Sequence, residues 1–238
     1  MIMKAKKHKI LIIEDDKILT DLLKDSVFKA DEFEFTVIHS FNEAVARARE
    51  IKSAPGLFDL IVLDLKLPGG SGLDILKDLR SHGCEIPVII LSSKNAENDR
   101  ISGLELGADD YLCKPFSLKE LYIRVKKIIE RHGRAHAKPA PEQKHSFNGL
   151  SVDIALREVY VKDKRVNLTP NEFDILKFLI ENKNAVITRE MLISCIWGGI
   201  FIAGGTIDSY VSRLRNKISP CGDFIETVHG IGYKFKAV

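Results

Sequence analysis

Short aliphatic segments alternate with helical patterns through the first half of the chain. They begin near Ile10, Phe35, Leu60, Val88 and Asp110, a spacing that holds one strand and one crossover helix. Consecutive parallel strands need such a crossover, and strands that are apolar throughout are typical of a sheet covered by helices on both faces. The pattern therefore predicts a doubly wound α/β domain with a five-stranded parallel sheet.

The pattern changes beyond residue 131. Residues 132–146 lack hydrophobic periodicity and contain Pro139 and Pro141, which is typical of an exposed linker. Short strands, three helices and a terminal hairpin follow, and this order indicates an α+β winged helix-turn-helix domain. The strands are predicted over Leu150–Ala155, Glu158–Lys162, Arg165–Leu168, Phe224–Val228 and Tyr233–Lys236, and the helices over Pro170–Asn182, Arg189–Trp197 and Thr206–Ser219. The predicted organisation is a domain over 8–131, a linker over 132–146 and a winged-helix domain over 147–238.

The composition is that of a globular protein, with 45% hydrophobic and 29% charged residues. The aliphatic runs are too short to span a bilayer, and acids rather than an apolar signal core follow the basic start. The cysteines lie far apart without metal-ligand spacing, so free thiols in a reducing cytosol are expected. We therefore expect a cytoplasmic protein with no membrane partner.

The formal net charge of +3 divides unevenly along the chain. Residues 1–131 carry 21 basic and 22 acidic side chains, whereas residues 147–238 carry 12 basic and 10 acidic ones. The total thus combines an acidic first half with a mildly basic second half. A surface that is only weakly basic has a weak electrostatic preference for nucleic acid.

Polar side chains follow the predicted strands of the first domain, where ligands bind to open α/β sheets. Strand one ends in Glu14 and Asp15, strand three in Asp64, strand four in Ser92 and strand five in Lys114. Carboxylates this close repel one another unless a cation lies among them, and hard oxygen ligands fit Mg²⁺. An Asp beside Mg²⁺ can attack a phosphoryl group while an amine and a hydroxyl offset the developing charge.

These residues lie in the segments ILIIEDD, LIVLDLKLPGGSGLDIL, PVIILSSK and GADDYLCKPF. The segments closely resemble response-regulator receiver domains, a CheY-like fold, over essentially residues 8–131. The resemblance implies that Asp64 accepts a phosphoryl group from a sensor histidine kinase. It also implies that Mg²⁺ is bound by Asp15, Asp64 and the backbone carbonyl of Lys66, with Glu14 acting through a coordinated water.

The same resemblance assigns the switch residues. Ser92 would be the switch hydroxyl, and Tyr111 the aromatic residue that turns inward when Ser92 moves. Lys114, followed by a cis-proline bond, would pair with the phosphate. Lys66 and Lys94 occupy positions that vary among receivers, and they are either modulators of the phosphate lifetime or ordinary solvated lysines.

Residues 96–131 also resemble the subfamily whose receivers pair symmetrically through their fourth and fifth helices. Surface ion pairs contribute little individually, but here all six charged positions of that subfamily match. The match favours a homodimer promoted by phosphorylation. The implied intersubunit pairs are Arg100 with Glu120, Asp110 with Arg124, and Asp109 with Arg131.

The helix predicted over Thr206–Ser219 has an apolar face that should pack inward and a polar face that fits the major groove of DNA. Polar side chains would face base edges, and basic ones phosphates. The predicted DNA-contacting residues are Thr206, Ser209, Tyr210, Ser212, Arg213, Arg215, Asn216 and Lys217 of this helix, with His229 and Tyr233 of the hairpin.

The segments LTPNEFDILKFLIEN, TIDSYVSRLRNKI and TVHGIGYKF, with the Trp197 segment, resemble the winged-helix output domain of the OmpR/PhoB family over about residues 147–238. Two departures weaken the expected contacts to phosphates and the minor groove. His229 stands where the wing usually carries Arg, and Gly205 stands where Arg or Asn is frequent. Affinity would then depend on dimerisation or on protonation of His229. The loop Gly198–Gly205 corresponds to one that can contact RNA polymerase, although its apolar residues favour packing on the domain itself.

Other functions fit the sequence less well. A flavodoxin-like enzyme needs a Gly/Ser/Thr loop after strand one, where this chain has three acids. A phosphatase of the haloacid-dehalogenase type needs a second Asp two residues after Asp64, where Lys66 stands. A phosphorylation-independent scaffold would be expected to lack residues of the acidic pocket, and none is missing here. An RNA-binding output domain is disfavoured by the terminal hairpin.

The sequence therefore predicts a two-component transcriptional regulator that binds specific DNA under the control of phosphorylation. It is not expected to act as an enzyme on an external substrate, although it should dephosphorylate itself. The expected partners are a sensor histidine kinase, double-stranded DNA with paired half-sites, a second copy of the chain and RNA polymerase.

Overall fold

The computed structural model describes residues 7–26, 28, 32–54, 56–93, 102–133, 144–197 and 204–236. The chain forms two compact units, Met1–Glu130 and Arg131–Val238. The two units are described separately below.

Five parallel strands form the sheet of the first unit. They are β1 (His8–Ile13), β2 (Phe33–Ile38), β3 (Leu60–Asp64), β6 (Val88–Ser93) and β7 (Asp110–Lys114), in the spatial order β2-β1-β3-β6-β7. Each strand contains one of the predicted starts, so the doubly wound sheet is confirmed. The order reverses beside β1 and β3, which places the ends of these strands at the edge where such folds bind ligands.

Helices cover the sheet on both faces because alternate residues of the strands are equally apolar. Ile10 and Ile12 share a core cluster with Leu121 and Val125, while Leu11, on the opposite face of β1, is also fully buried. The helices are α1 (Lys17–Ser26), α2 (Phe41–Ser53), α3 (Gly72–Ser81) and α4 (Leu118–Gly133), and residues 102–105 are also helical.

A short hairpin follows β3 that the sequence patterns did not predict. It consists of β4 (Lys66–Leu67) and β5 (Gly70–Ser71), and two-residue strands are too short to show periodicity. The hairpin brings the start of α3 back against the end of β3. A Cβ on Gly72 would overlap the carbonyl oxygen of Asp64, so this close approach requires glycine.

The described residues of the second unit form two antiparallel sheets and three helices. The strands are β8 (Lys144–Phe147), β9 (Leu150–Asp153), β10 (Glu158–Val161), β11 (Lys164–Val166), β12 (Ile187–Thr188), β13 (Ile225–Val228) and β14 (Gly232–Phe235). One sheet has four strands, in the order β11-β10-β9-β8, and the other has three, in the order β12-β14-β13. The helices are α5 (Pro170–Glu181), α6 (Arg189–Trp197) and α7 (Gly204–Lys217), and a 3-10 turn spans Cys221–Phe224. The winged-helix architecture is confirmed.

Two strands of this unit differ from the expectation. β8 begins inside the segment 132–146 that was predicted to be a linker, because its pairing with β9 depends on backbone groups rather than on an apolar pattern. β12 was not predicted. It pairs with β14 so closely that a Cβ on Gly232 would overlap the carbonyl oxygen of Ile187.

Candidate functional site

Three carboxylates meet at the carboxyl edge of the parallel sheet. Glu14 and Asp15 follow β1, and Asp64 ends β3. One oxygen of each lies within 4.8 Å of the others. Glu14 and Asp64 are buried and Asp15 is exposed, so the cluster opens to solvent on one side.

The ammonium group of Lys114, at the end of β7, lies between the two buried carboxylates. Its Nζ donates to both oxygens of Glu14, at 2.8 and 2.6 Å, and to Oδ2 of Asp64 at 2.5 Å. The second oxygen of Asp64 accepts from the backbone N–H of Lys66 at 2.8 Å. The peptide bond between Lys114 and Pro115 is cis.

Burial sets the proton affinity of Glu14. Desolvation raises its pKa to about 7, although Lys114 lowers it, and the nearby charge of Asp64 raises it further. Burial lowers the pKa of Lys114, but its bonds to Asp64 and Glu14 outweigh this and the net pKa is raised. The amine therefore stays charged, whereas Glu14 exchanges a proton near neutral pH.

Ser92 and Tyr111 lie on the neighbouring strands β6 and β7. Ser92 is 1% exposed, and its hydroxyl has no hydrogen-bond partner within the described part of the chain. Ser92 pairs in register with Cys113, beside Lys114. Tyr111 is buried at 8% exposure. A buried hydroxyl without a partner at this edge is free to donate to a ligand oxygen.

The cluster fits a divalent cation such as Mg²⁺. Its donors are hard carboxylate oxygens, and two like charges are buried together with one amine. The exposed Asp15 leaves room for the waters that Mg²⁺ retains. The carboxylates available to hold the ion are those of Glu14, Asp15 and Asp64.

Three of the predicted dimer residues pair with one another within one chain. Nη1 of Arg124 donates to both oxygens of Asp110, at 3.0 and 2.8 Å, and Nη2 donates to Oε1 of Glu120 at 2.7 Å. An intersubunit pair between Asp110 and Arg124 would have to replace this contact. Arg100 lies outside the described residues, as does the side chain of Arg131.

The side chain of Asp109 is buried within the chain. Its side chain is 1% exposed, and Oδ2 accepts from the backbone N–H of Val88 at 2.9 Å and from Nη2 of Arg80 at 3.3 Å. Arg80 also donates to the backbone carbonyls of Cys84, Ile86 and Gly107. The expectation that Asp109 pairs with Arg131 across a dimer is corrected, because Asp109 completes this buried network.

The helix α7 presents a polar face with Ser212 and Asn216 exposed and Ser209 and Arg215 partly exposed. On its opposite face Ile207, Val211 and Leu214 are fully buried, as is Ile218 just after the helix, as predicted. Arg215 is directed to the wing, where it donates to the carbonyl oxygen of Ile225 and to Oγ1 of Thr227. His229, at the turn of the wing, is exposed.

The other two cations of α7 lie against Glu172 of α5. Nζ of Lys217 donates to Oε2 of Glu172 at 2.7 Å, and Nε of Arg213 lies 3.5 Å from Oε1. The guanidinium of Arg213 also lies 4.5 Å from the ring centre of Tyr210.

Comparison with known proteins identifies the chain. Residues 10–126 match the family model of the response regulator receiver domain, and residues 163–235 match that of the C-terminal domain of transcriptional regulatory proteins. The phosphate regulon transcriptional regulatory protein PhoB of Escherichia coli (strain K12) is 34% identical in an alignment of 233 positions, gaps included, that covers 96% of this chain and 97% of that protein. The alkaline phosphatase synthesis transcriptional regulatory protein PhoP of Bacillus subtilis (strain 168) is 36% identical in an alignment of 240 positions, gaps included, that covers 96% of each chain. The chain is a two-component response regulator of the OmpR/PhoB family.

Membership in the OmpR/PhoB family establishes a receiver domain joined to an output domain for transcriptional regulation. The relatives named above are transcriptional regulatory proteins by name. A solved structure of a RitR mutant has a TM-score of 0.70 at 22% identity, covering 97% of this chain and 100% of that one, and at this identity it supports the fold alone. Among the described helices of the OmpR/PhoB regulator, none combines the length and hydropathy that a membrane span requires.

Burial removes three residues from the expected DNA surface of this OmpR/PhoB regulator. Thr206 and Tyr210 are fully buried, and Tyr210 packs on Trp197 with ring centres 5.3 Å apart. Tyr233 is 3% exposed. The prediction that Thr206 and Tyr210 contact DNA is corrected, because amphipathic spacing alone had placed them beside the polar face. Tyr233 instead anchors the wing.

Two acidic residues of the OmpR/PhoB output domain were missed. Asp208 lies on the exposed side of α7 and pairs with Arg189 at 2.8 Å. Glu172 contacts both Arg213 and Lys217. Neither acid was predicted, because only basic and neutral residues were considered as candidates for DNA contact. Asp208 could have been noticed in the sequence, since it is an acid within the helix that was predicted to contact DNA.

Proposed function

We propose that Asp64 accepts a phosphoryl group from a phosphohistidine of a sensor histidine kinase. The observation that carries the proposal is the ammonium group of Lys114, which bridges the buried carboxylates of Glu14 and Asp64 beside the exposed Asp15. A carboxylate held by an amine at an open cluster of acids is suited to accept a group that brings additional negative charge.

The transfer exchanges one bond to phosphorus for another. A carboxylate oxygen of Asp64 attacks phosphorus, the new P–O bond forms as the P–N bond to the kinase imidazole breaks, and the imidazole nitrogen takes up a proton. Lys114 then shifts its ammonium from the Asp64 carboxylate to a phosphoryl oxygen, and the hydroxyl of Ser92 donates to another. Asp15, Asp64 and the carbonyl of Lys66 would hold Mg²⁺, with Glu14 acting through a water, and the ion would supply charge neutralisation for the phosphoryl oxygens.

Labelling with a small radioactive phosphodonor tests the acceptor. In the presence of Mg²⁺ the wild-type chain should gain an acid-stable, base-labile label that Asp64→Asn lacks. Asp59→Asn is a matched control, because Asp59 lies just before the other end of β3. Equal acid-stable labelling of wild type and Asp64→Asn would contradict the proposal.

We also propose that phosphorylation favours a homodimer that binds paired DNA half-sites. Arg124 already forms ion pairs with Asp110 and Glu120 within the chain. These pairs support the proposal, because the same side chains can exchange ion-pair partners between subunits. The polar face of α7 supports major-groove contacts, and the exposed His229 a contact from the wing. The kinase, the DNA and RNA polymerase would meet the regulator in the cytoplasm.

Sedimentation velocity with beryllium fluoride and Mg²⁺ tests this step. The wild-type chain should shift from monomer to dimer, and its footprint on genomic DNA should then cover two half-sites. A chain that stays monomeric under these conditions contradicts the dimer. The rate of label loss from phosphorylated wild type and Lys66→Ala tests self-dephosphorylation and the role of Lys66 in it.

A further inference from the structure

We propose that Glu172 is a positioning residue for DNA recognition, which holds Arg213 and Lys217 of α7 in one arrangement at the DNA surface. The inference rests on the DNA-binding function proposed above and adds a residue that does not itself face DNA.

Glu172 is buried inside the output domain, and it contacts two cations of α7 from there. The residue is 1% exposed and lies in the first turn of α5, where Oε2 accepts from the backbone N–H of Thr169 at 2.8 Å. The same oxygen accepts from Nζ of Lys217 at 2.7 Å, and Oε1 lies 3.5 Å from Nε of Arg213. Both cations thus meet one buried carboxylate.

The two cations share one face of α7 because they are four residues apart. The side chain of Arg213 is 27% exposed and that of Lys217 is 34% exposed, so each reaches from the buried acid toward solvent. The ring of Tyr210, 4.5 Å from the guanidinium carbon, restrains Arg213 on a second side. A buried charge interacts more strongly with its partners than an exposed one, so this acid restricts the cations more than a surface acid would.

Restricting these cations has a consequence for binding. Flexible lysine and arginine side chains attach to phosphates of any sequence, and each new phosphate contact releases a counterion. Cations that are held by Glu172 make fewer of these contacts with phosphates of random DNA. Glu172 therefore favours discrimination between sequences at the expense of affinity for random DNA.

The substitution Glu172→Gln separates this role from the stability of α5. Glutamine at the same position of the first turn still accepts from the backbone N–H of Thr169, as in a capping box. It removes only the charge that holds the two cations. Glu181→Gln is the matched control, because Glu181 ends the same helix and pairs only with Lys177 in the described structure at 3.7 Å.

The test compares the full chain, treated with a small phosphodonor, on two duplexes of equal length. One is of random sequence, and the other is selected from a random library by the wild-type protein. For Glu172→Gln, the plot of log affinity against log salt for the random duplex should steepen by about 0.9 to 1.8, corresponding to one or two added phosphate contacts. The preference for the selected duplex should fall about tenfold, and Glu181→Gln should match wild type in both.

The outcomes separate the inference from the proposed function. If wild type shows no preference for its selected duplex, the DNA-binding function fails and the inference fails with it. If wild type discriminates but Glu172→Gln keeps its salt slope and preference, only the inference is overturned.

A second variant keeps the inference testable if Glu172→Gln does not fold. Lys217→Met removes one cation from the other side of the contact. Because Lys217 is held by Glu172, the salt slope should decrease by less than the ~0.9 that the loss of a free phosphate contact produces. A full decrease would overturn the inference.

Discussion

The phenol of Tyr233 donates to Oδ1 of Asp208 at 2.5 Å, and the same oxygen accepts from Nε of Arg189 at 2.8 Å. Tyr233 lies on β14, Asp208 on α7 and Arg189 at the start of α6. One carboxylate oxygen therefore links the wing to two helices of the output domain.

This contact should be visible in an alkaline titration. Burial and the bond to Asp208 raise the pKa of Tyr233 to about 12, whereas a free phenol titrates near pH 10. Because the folded pKa is raised, the stability from this contact is present below about pH 10 and is lost as the pH rises through 12. Absorbance at the tyrosinate band should show a late ionisation step that Tyr233→Phe lacks. Identical curves would contradict the contact.

Removing the bridging amine of the acidic cluster should destabilise the receiver in a pH-dependent way. Lys114→Met leaves Glu14 and Asp64 facing each other without a cation. At pH 8 we expect a loss of about 2 kcal/mol in the free energy of unfolding. This is less than the loss from breaking a fully buried ion pair, because Lys114 is partly exposed. At pH 6 the loss should be smaller, since Glu14, with its pKa raised to about 7, then carries a proton. Urea unfolding without Mg²⁺ measures the free energy of unfolding at both pH values, and Lys119→Met, at an exposed position, is the control. An equal loss at the two pH values would argue against the bridge formed by Lys114.

Asp109 should matter for folding rather than for dimerisation. Asp109→Asn leaves Arg80 without its buried acid and should lower the free energy of unfolding by about 2 to 4 kcal/mol. Glu120→Gln, at a half-exposed position, should change it by less than about 0.5 kcal/mol. Urea unfolding of the unphosphorylated chain compares them. If Asp109→Asn unfolds like wild type and loses only the dimer, the buried network is not its role.

Gly72 should be more sensitive to substitution than Gly103. The Cβ of Gly72→Ala meets the backbone carbonyl of Asp64, which cannot move without displacing the residue that we propose as the phospho-acceptor. The closest atom to the Cβ of Gly103→Ala is Cδ1 of Ile90, the flexible end of a side chain. We expect Gly72→Ala to lose most of its labelling by the phosphodonor while Gly103→Ala keeps it. Comparable labelling of the two variants would show that the backbone at Asp64 adapts.

The sequence predicted the parts of this regulator that depend on regular spacing. The five aliphatic strands and the apolar face of α7 follow periods of two and of about 3.6 residues, which local sequence reveals. The convergence of Glu14, Asp64 and Lys114 followed from topology, since the ends of parallel strands meet at one edge.

The remaining features depend on tertiary contacts that no local pattern contains. β12 is two residues long and exists through its pairing with β14. Tyr210 is buried because Trp197 covers it, and Asp109 is buried because Arg80 reaches it across the domain. A polar residue beside the apolar face of a helix can be buried or exposed, and the residues that contact it in the folded domain determine which.

β14 is the central strand of its sheet, with β13 on one side and β12 on the other. The strand that carries the wing is thus fastened to the segment that leads directly into α6. In the DNA binding proposed above, the wing and the helix that follows β12 would therefore reach a duplex at a fixed separation. Any difference in the spacing of half-sites would then have to be accommodated outside the output domain, where two copies of it are joined.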